Sequence, residues 1–248
     1  MESIDILGCR VDAIDRAGAV ERVAELANAR PGSLVVTLGV EMVMRAQHDE
    51  GFRAIVNSAA LSLCDTIGLL LASRARNGPL RSRVTGVELV ADLAARSAQR
   101  HDVRLYLLGG SGDTADRAAR ELERRYPGAV ISGARDGYFD DNESGRVATT
   151  ITASGANVVC VGLGSPKQEM WLTRYGAATG CGVGIGVGGS FDVLAGTVRR
   201  APRIVQTTGL EWAYRLAREP RRWRRQLALP QFVVAVAKEI AVGEEKRS

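Results

Sequence analysis

The sequence predicts an α/β fold: a Rossmann-like parallel sheet with helices on both faces, plus a helical, arginine-rich C-terminal appendage. Two observations predict the sheet. Short apolar runs alternate with helical segments along residues 1–199, and polar or glycine residues follow the runs where they end. A third observation predicts the appendage, because arginine and aromatic residues become frequent beyond this point. We therefore divide the chain into an α/β core, residues 1–199, and an appendage, residues 200–248.

The composition is typical of a globular protein of the cytoplasm. Of the 248 residues, 46% are hydrophobic and 25% are charged, and this length suffices for one α/β domain with an appendage or for two small domains. Glu2 and Asp5 begin the chain where a signal peptide would be basic, and no apolar run approaches the ~18 residues that span a bilayer. We expect a cytoplasmic protein, or one peripheral on the inner face of the cell membrane.

The cysteines and histidines do not form the pattern of a metal site. The four cysteines lie far apart with no C-x-x-C pair, and the chain has only two histidines. We interpret the cysteines as free buried thiols in a reducing compartment. We expect no metal and no other cofactor.

The apolar runs predict a short hairpin and then alternating strands and helices. Ile4–Gly8 and Arg10–Val11 predict the hairpin, and Asp12 is predicted to cap a helix that ends near Ala29. The strands of the sheet are predicted at Leu34–Thr37, Ala60–Cys64, Val103–Leu108, Ala129–Ser132, Asn157–Leu163 and Val183–Val187. Helices are predicted near Met42 and at Glu50–Ser58, Ile67–Arg76, Val87–Arg100, Ala115–Tyr126, Glu143–Ala153 and Gln168–Tyr175.

Two polar residues lie at the carboxyl ends of predicted strands. Thr37 ends the first strand of the sheet, and Asp65 directly follows the second. Ligand sites of open parallel sheets gather at this edge, so both residues are candidates for a binding or catalytic site. Alternatively, Asp65 caps the helix that follows it.

A second candidate site lies where the strand at Asn157–Leu163 ends. The chain then turns at Gly164, and a helix is predicted with Ser165 as N-cap and Pro166 as its first residue. Ser165 and Gln168 have the spacing of a capping box. The backbone N–H groups and the dipole of such a helix start suit an anion or a sugar. The alternative is that Gln168 only caps the helix.

Glycine pairs follow two further strands. The motif Gly110-x-Gly112-x-x-Ala115 lies between a strand and a helix, and Asp136 follows at about the distance of an acid that binds a ribose. This pattern indicates a nucleotide and gives weaker support to NAD in particular. Tight helix–sheet packing would explain the same small residues. Gly188-Gly189 ends a later strand and would allow a ligand to approach the backbone.

The appendage carries the basic charge of the protein. The chain has a net charge of +5, and residues 199–225 contain nine arginines and two glutamates, so this segment is at +7 and the remainder at −2. Trp212, Tyr214 and Trp223 lie among the arginines. Such a segment suits an anionic lipid surface. Nucleic acid and packing on the core are the alternatives.

Several motifs together resemble the WecG/TagA/CpsF family of bacterial glycosyltransferases. In the core they are Val36-Thr37, Glu41, Cys64-Asp65, Arg83-Val84-Thr85-Gly86, Leu107-Leu108-Gly109-Gly110, Tyr126-Pro127-Gly128, Gly137-Tyr138-Phe139, Gly162-Leu163-Gly164-Ser165-Pro166-Lys167-Gln168-Glu169-x-Trp171 and Gly188-Gly189-Ser190-Phe191-Asp192. In the appendage they are Arg200-Ala201-Pro202 and Gly209-Leu210-Glu211-Trp212-x-Tyr214-Arg215-Leu216-x-x-Glu219-Pro220-x-Arg222. Their order and spacing cover about residues 4 to 226.

The resemblance implies an inverting, metal-independent hexosyl transfer from a UDP-sugar to a polyprenyl-diphosphate-linked sugar. The donor sugar would be of the N-acetylmannosamine type or glucose. The products would feed wall teichoic acid, enterobacterial common antigen or capsular polysaccharide. The appendage would contact an anionic membrane surface and not nucleic acid. Exposed tryptophans would favour a homo-oligomer in the absence of a membrane.

The resemblance also assigns roles to residues of this chain. Asp65 matches the general base, Thr37 and Gln168 match positions that hold the donor sugar, and Arg83 is expected to meet the diphosphate or the sugar. The family's appendage arginines, which complete the site at the membrane, fall on Arg215, Arg222 and Arg225. Beyond the matched positions, we choose Tyr138, Gly189 and Asp192 as the contacts for uridine and ribose.

Two positions depart from the family pattern. The family usually has asparagine where this chain has Gly39, and glycine where it has Thr66. Gly39 removes a side-chain amide from the predicted donor-sugar wall, and Thr66 adds bulk beside the predicted base. The remaining alternatives are an NAD(P)-dependent oxidoreductase that uses the Gly110 loop, and a non-catalytic protein whose appendage binds lipid or nucleic acid.

Overall fold

A computed structural model describes residues 1–198 and 228–245, together with the single positions Val205 and Tyr214. A separate hairpin is formed by β1 (Ser3–Ile6) and β2 (Cys9–Asp12). The strands of the main sheet are β3 (Ser33–Leu38), β4 (Leu61–Cys64), β5 (Leu105–Gly109), β6 (Ile131–Arg135), β7 (Val158–Gly162) and β8 (Val183–Gly186).

Helices connect these strands. In the first half of the described chain they are α1 (Arg16–Ala27), α2 (Val40–Ala46), α3 (Glu50–Ser58), α4 (Ile67–Ala75) and α5 (Gly86–Arg100). In the second half they are α6 (Thr114–Arg125), α7 (Ser144–Ala153), α8 (Lys167–Tyr175), α9 (Ser190–Leu194) and α10 (Ala228–Glu245). None of these helices is both long and apolar enough to cross a membrane.

The main sheet has six strands in the order β4-β3-β8-β7-β5-β6, and every neighbouring pair is parallel. The α/β fold class is therefore confirmed. The register aligns the carboxyl ends of the strands: Leu38 pairs with Cys64, and Gly109 pairs with Gly162. The residues that follow these strands consequently share one edge of the sheet.

The core lies on both faces of the sheet because side chains alternate along each strand. Val35 belongs to the apolar cluster on the face covered by α1, α5, α6 and α9, whereas its neighbour Val36 belongs to a cluster on the other face. The latter cluster includes Phe232 and Val236 of α10, which are buried against α2. The last described helix thus packs on the α/β core through its apolar side chains.

The predicted start of the first helix was wrong. Asp12 ends β2 and its carboxylate accepts a hydrogen bond from the Ser62 N–H at 2.7 Å, which fastens the hairpin to β4 at the edge of the sheet. Asp15 caps α1 instead, accepting from the Gly18 N–H at 2.8 Å. Asp12 and Asp15 are three positions apart, and either could cap a helix that starts here; the hydrogen bond from the distant Ser62 N–H decides which of them does not.

Candidate active site

Asp65 lies at the carboxyl edge of the sheet, directly after β4, as predicted. Its N–H donates to the Leu38 carbonyl oxygen at 3.0 Å, and its Oδ1 accepts from the Gly86 N–H at 3.1 Å. The second bond joins Asp65 to the first residue of α5. The alternative that Asp65 caps the next helix, α4, is wrong, since Thr66 occupies that N-cap position.

Arg83 is held near Asp65 by the segment that leads into α5. The Val84 N–H donates to the Cys64 carbonyl oxygen at 2.8 Å, and Thr85 caps α5 by accepting from the Glu88 N–H. Burial raises the pKa of the Cys64 thiol to about 12, and the charge of Arg83 opposes this rise. The backbone next to Arg83 is therefore anchored to the end of β4, which is followed by the Asp65 carboxylate.

Gln168 is buried and reaches across to the end of β8. Its Oε1 accepts from the Gly188 N–H at 3.0 Å, and its Nε2 donates to Oε1 of Glu169 at 2.6 Å. The predicted capping box was wrong. The peptide bond between Ser165 and Pro166 is cis, Pro166 is the N-cap, and α8 starts at Lys167 without a side-chain cap. The Gln168 side chain accepts from the Gly188 N–H, a tertiary partner, and so does not cap α8.

Thr37 is bonded to the same segment from the other side. It lies within β3, one residue before the strand ends, and its Oγ1 donates to the Gly186 carbonyl oxygen at 2.7 Å. A Cβ on Gly186 would lie 2.7 Å from Gln168 Nε2, so only glycine fits between these side chains. We name residues 186–189 the β8 turn. Thr37 and Gln168 hold this turn from opposite sides.

Gly189 and Asp192 continue from the β8 turn. Gly189 is the N-cap of α9, and Asp192 lies in the first turn of that helix. A Cβ on Gly86 would lie 2.8 Å from Ser190 Oγ and 3.2 Å from the Val187 carbonyl oxygen. The start of α5, which binds Asp65, is thus packed against the β8 turn. The structure brings Asp65, Thr37, Gln168 and Gly189 into one connected region.

Tyr138 belongs to a different part of the edge, the loop that follows β6. It is 78% exposed, and its N–H donates to Oδ1 of Asp136 at 2.7 Å. The Gly137 N–H donates to the Gly110 carbonyl oxygen at 2.9 Å, which places this loop beside the end of β5. The predicted site residues Arg215, Arg222 and Arg225 lie outside the described residues.

Gly109, the last residue of β5, and Gly110, which follows it, allow close packing. A Cβ on Gly109 would lie 2.5 Å from the carbonyl group of Gly162 on the neighbouring strand β7, and a Cβ on Gly110 would lie 2.9 Å from Thr114. The Asp136 carboxylate binds the backbone of its own loop. Gly110 and Asp136, two of the residues that indicated a dinucleotide, thus make contacts within the protein, whereas a Cβ on Gly112 would meet nothing within 4 Å.

The comparison with known proteins decides the class. A profile described as "Glycosyl transferase WecG/TagA/CpsF family" matches residues 4–246. The chain belongs to this family. The predicted resemblance is confirmed, and the protein is a glycosyltransferase that transfers a hexosyl group.

Two Bacillus proteins are similar to this glycosyltransferase over most of their length. Both are named N-acetylglucosaminyldiphosphoundecaprenol N-acetyl-beta-D-mannosaminyltransferase. The protein of Bacillus spizizenii strain W23 is 36% identical over 207 residues, which cover 84% of this chain and 79% of the relative. The protein of Bacillus subtilis strain 168 is 34% identical over 208 residues, which cover 84% and 80%.

In this glycosyltransferase the cysteines are poor candidates for a nucleophile. All four are buried, and burial raises the pKa of Cys9 to about 11 and that of Cys160 to about 12. Thiols in this state are protonated at neutral pH. Within residues 1–198 and 228–245, no three histidine, cysteine or acidic side chains are grouped as they would be around a metal ion.

The two departures from the family pattern meet in space beside Asp65. A Cβ on Gly39 would lie 3.3 Å from Cγ2 of Thr66. Thr66 Oγ1 is buried and has no hydrogen-bond partner among the described residues. The threonine methyl thus occupies part of the space that a side chain at position 39 would enter, and the two positions have to be considered as a pair.

Two residues of this region, Gly86 and Glu169, had no role predicted from the sequence. Gly86 donates the N–H that Asp65 accepts, and the Thr85-x-x-Glu88 spacing could have indicated that α5 starts there. Glu169 is fully buried together with Gln168, Trp171 and Leu172 on one face of α8. The position of Glu169 on the same helical face as the apolar residues Trp171 and Leu172 could have indicated a buried acid.

Proposed function

We propose that the protein transfers an N-acetylmannosamine-type or glucose-type hexosyl group from a UDP-sugar to a polyprenyl-diphosphate-linked saccharide, with inversion and without a metal ion. The names of the two Bacillus relatives support an acceptor that carries N-acetylglucosamine on undecaprenyl diphosphate and a mannosamine-type sugar. The single observation that carries the proposal is the position of Asp65. Its carboxylate is anchored by Gly86 at the sheet edge, next to Thr37, Gln168 and the β8 turn.

Asp65 supplies the base of this reaction. The acceptor hydroxyl oxygen attacks C1 of the donor hexose while its proton passes to the Asp65 carboxylate. The bond between C1 and the β-phosphate oxygen breaks, and UDP leaves from the opposite face with the bonding electron pair. Attack opposite the leaving group inverts the configuration at C1.

The other proposed site residues bind the donor. Thr37 and Gln168 border the donor sugar, and Arg83 meets the negative charge that develops on the diphosphate. Arg215, Arg222 and Arg225 of the appendage complete the phosphate site. Tyr138, Gly189 and Asp192 contact uridine and ribose.

The appendage brings the enzyme to its lipid-linked acceptor. Residues 200–248 are proposed to associate with anionic lipid at the inner face of the cell membrane through arginines and tryptophans. Away from a membrane, the tryptophans of the appendage are proposed to favour self-association. The product would enter cell-surface polysaccharide, as a teichoic acid, capsule or common-antigen component.

A UDP-release assay with a panel of UDP-hexoses tests the proposal. The acceptor is short-chain polyprenyl-diphosphate-N-acetylglucosamine in detergent, and each donor is also incubated without acceptor. We expect acceptor-dependent release from one donor, unchanged by EDTA, and a product of inverted anomeric configuration by NMR. Release that is independent of acceptor, or absent with every donor, would contradict the proposal.

A further inference from the structure

Gln168 and Glu169 form a buried pair on the face of α8 that packs against β3 and β8. Gln168 is 2% exposed and Glu169 is 0% exposed. Burial of a carboxyl group is costly unless the group is neutral or paired. No cation within the described residues forms an ion pair with Glu169, which calls for an explanation of why an acid occupies this position.

Glu169 accepts from the donor end of the Gln168 amide, and the acceptor end of that amide faces the β8 turn. A glutamine amide has a donor end and an acceptor end, which differ only in how they bond. Since Gln168 Nε2 donates to Glu169 Oε1, the amide oxygen is directed at the Gly188 N–H. With the amide inverted, its NH₂ group would meet the Gly188 N–H, donor against donor.

The pair also fits tightly beneath the β8 turn. A Cβ on Gly186 would lie 2.7 Å from Gln168 Nε2 and 2.9 Å from Glu169 Oε1. On its other side the Gly186 carbonyl oxygen accepts from Thr37. A change in the orientation of the Gln168 amide would therefore displace the Gly186 backbone, which lies between Gln168 and Thr37.

The surroundings of Glu169 favour its uncharged form. Burial raises the pKa of Glu169, while Gln168, the nearby Ser165 hydroxyl and the charge of Arg45 oppose the rise. Glu169 Oε2 makes no hydrogen bond of normal geometry with a described residue. A neutral carboxylic acid can still accept from Gln168 through its carbonyl oxygen.

We propose that Glu169 is a positioning residue for hexosyl transfer, which acts by fixing the orientation of the Gln168 amide and thereby the β8 turn beside the donor site. This inference rests on the proposed function for its kinetic consequence. Its structural part, the orientation of Gln168, stands independently. A glutamate that only filled space would leave the Gly188 hydrogen bond unchanged when replaced by an apolar side chain.

Amide hydrogen exchange at two adjacent residues tests the structural part. The Gly188 N–H is bonded to the Gln168 side chain, whereas the Val187 N–H is bonded to the Val161 carbonyl oxygen at 2.9 Å in the backbone. In Glu169→Leu we expect roughly 10-fold faster exchange at Gly188 with Val187 unchanged, because Gln168 Nε2 loses its acceptor. In Glu169→Gln, whose amide oxygen replaces Oε1, both rates should stay within about 2-fold.

If Glu169→Leu does not fold, Glu169→Asp replaces it, because the shorter side chain withdraws the carboxyl group from Gln168 and the same expectation applies. Met170→Gln is the matched control, on the same helix and 56% exposed. Unchanged Gly188 exchange in the folded Leu or Asp variant would overturn the proposal, and so would equal loss of protection at Val187 and Gly188.

Steady-state kinetics test the functional part. Glu169→Leu should raise the KM for the UDP-sugar roughly 10-fold or more, with full recovery in Glu169→Gln and no change in Met170→Gln. Equal KM values in all variants would overturn the functional role. A wild-type enzyme without any transfer would contradict the proposed function alone, since the exchange experiment does not depend on activity.

Discussion

The carboxyl edge of the sheet has two halves that are built differently. At the ends of β4, β3 and β8, buried or half-buried polar side chains are held by hydrogen bonds to backbone of other elements, as Asp65 is by Gly86 and Gln168 by Gly188. At the ends of β7, β5 and β6, glycine backbone makes the close contacts, and the aromatic side chain of Tyr138 is exposed. We call these the polar half and the glycine half.

The two halves suit different tasks, proton transfer in one and nucleoside binding in the other. Fixed polar side chains suit a step in which a proton is transferred at a defined position, whereas a glycine backbone with an exposed ring suits a flat nucleoside. The proposed function accordingly assigns the transfer step to the polar half and the Tyr138 contact with uridine to the glycine half, while Gly189 and Asp192 contact the nucleoside from the β8 side.

Gly109→Ala should severely destabilise the protein, because the new Cβ would lie 2.5 Å from the backbone of Gly162 and would force β5 and β7 apart. We expect a loss of about 4 kcal/mol or more in the free energy of unfolding, measured by urea denaturation. Gly112→Ala is the control: its φ of 52° is also positive, but its Cβ would meet nothing within 4 Å. It should cost about 1 kcal/mol. Equal losses would show that contact between the two strands does not shape the glycine half.

Glu169, which lies beneath the β8 turn of the polar half, should make the free energy of unfolding of the protein fall as the pH rises. Because burial raises the pKa of Glu169, the folded protein retains the proton over a range in which the unfolded chain ionises. The contribution of the neutral carboxyl is therefore complete below the ordinary glutamate pKa of about 4.3 and is lost as the pH rises through the folded-state value. Glu169→Gln should lack this decline. Parallel curves of unfolding free energy against pH for the two proteins would contradict the prediction.

The contact between Gly39 and Thr66 should appear as coupling in a double-mutant cycle. Gly39→Asn alone is expected to lose about 1 kcal/mol of stability, since its Cβ would lie 3.3 Å from the threonine methyl carbon. Thr66→Gly should recover much of that loss when combined with it, giving a coupling energy of about 1 kcal/mol. Urea denaturation measures the cycle, and the UDP-hexose panel shows whether donor preference follows. Strictly additive effects would mean that the two positions act independently.

Tyr138→Ala should have the smallest effect and should act on binding alone. Its side chain is 78% exposed, so we expect a change of less than about 0.5 kcal/mol in stability. Loss of a stacking partner for uridine should weaken UDP binding about 5-fold by calorimetry. Met170→Ala, on the exposed face of α8, should bind UDP like the wild type. Unchanged UDP affinity in Tyr138→Ala would remove this residue from the nucleotide site.

Local patterns were sufficient to predict the fold and the location of the site. The apolar runs identified all six strands of the main sheet, and parallel strands bring Thr37 and Asp65 to one edge whatever the details of the loops. The boundaries were less accurate. The strand predicted at Ala129–Ser132 is Ile131–Arg135, because its residues are only half-buried at the sheet edge and its apolar signal is weak.

The orientation of the site side chains could not be predicted, since it depends on partners distant in sequence. Asp65 bonds to Gly86, which lies 21 positions away, and Gln168 bonds to Gly188, 20 positions away. Local rules offered capping of the nearest helix as the alternative role for both side chains, and they gave no indication of Gly86 or Gly188 as partners. The contact of Gly39 with Thr66 is likewise tertiary.

We propose that Asp65 in the polar half is the base of hexosyl transfer. The most direct measurement compares Asp65→Asn with Asp15→Asn, because each aspartate accepts a hydrogen bond from a backbone N–H at a helix start. Turnover with the preferred UDP-sugar and UDP affinity are measured for both variants. We predict that Asp65→Asn retains UDP affinity but loses about 10²- to 10⁴-fold in kcat, and that Asp15→Asn keeps both. Near-normal turnover in Asp65→Asn would contradict the account.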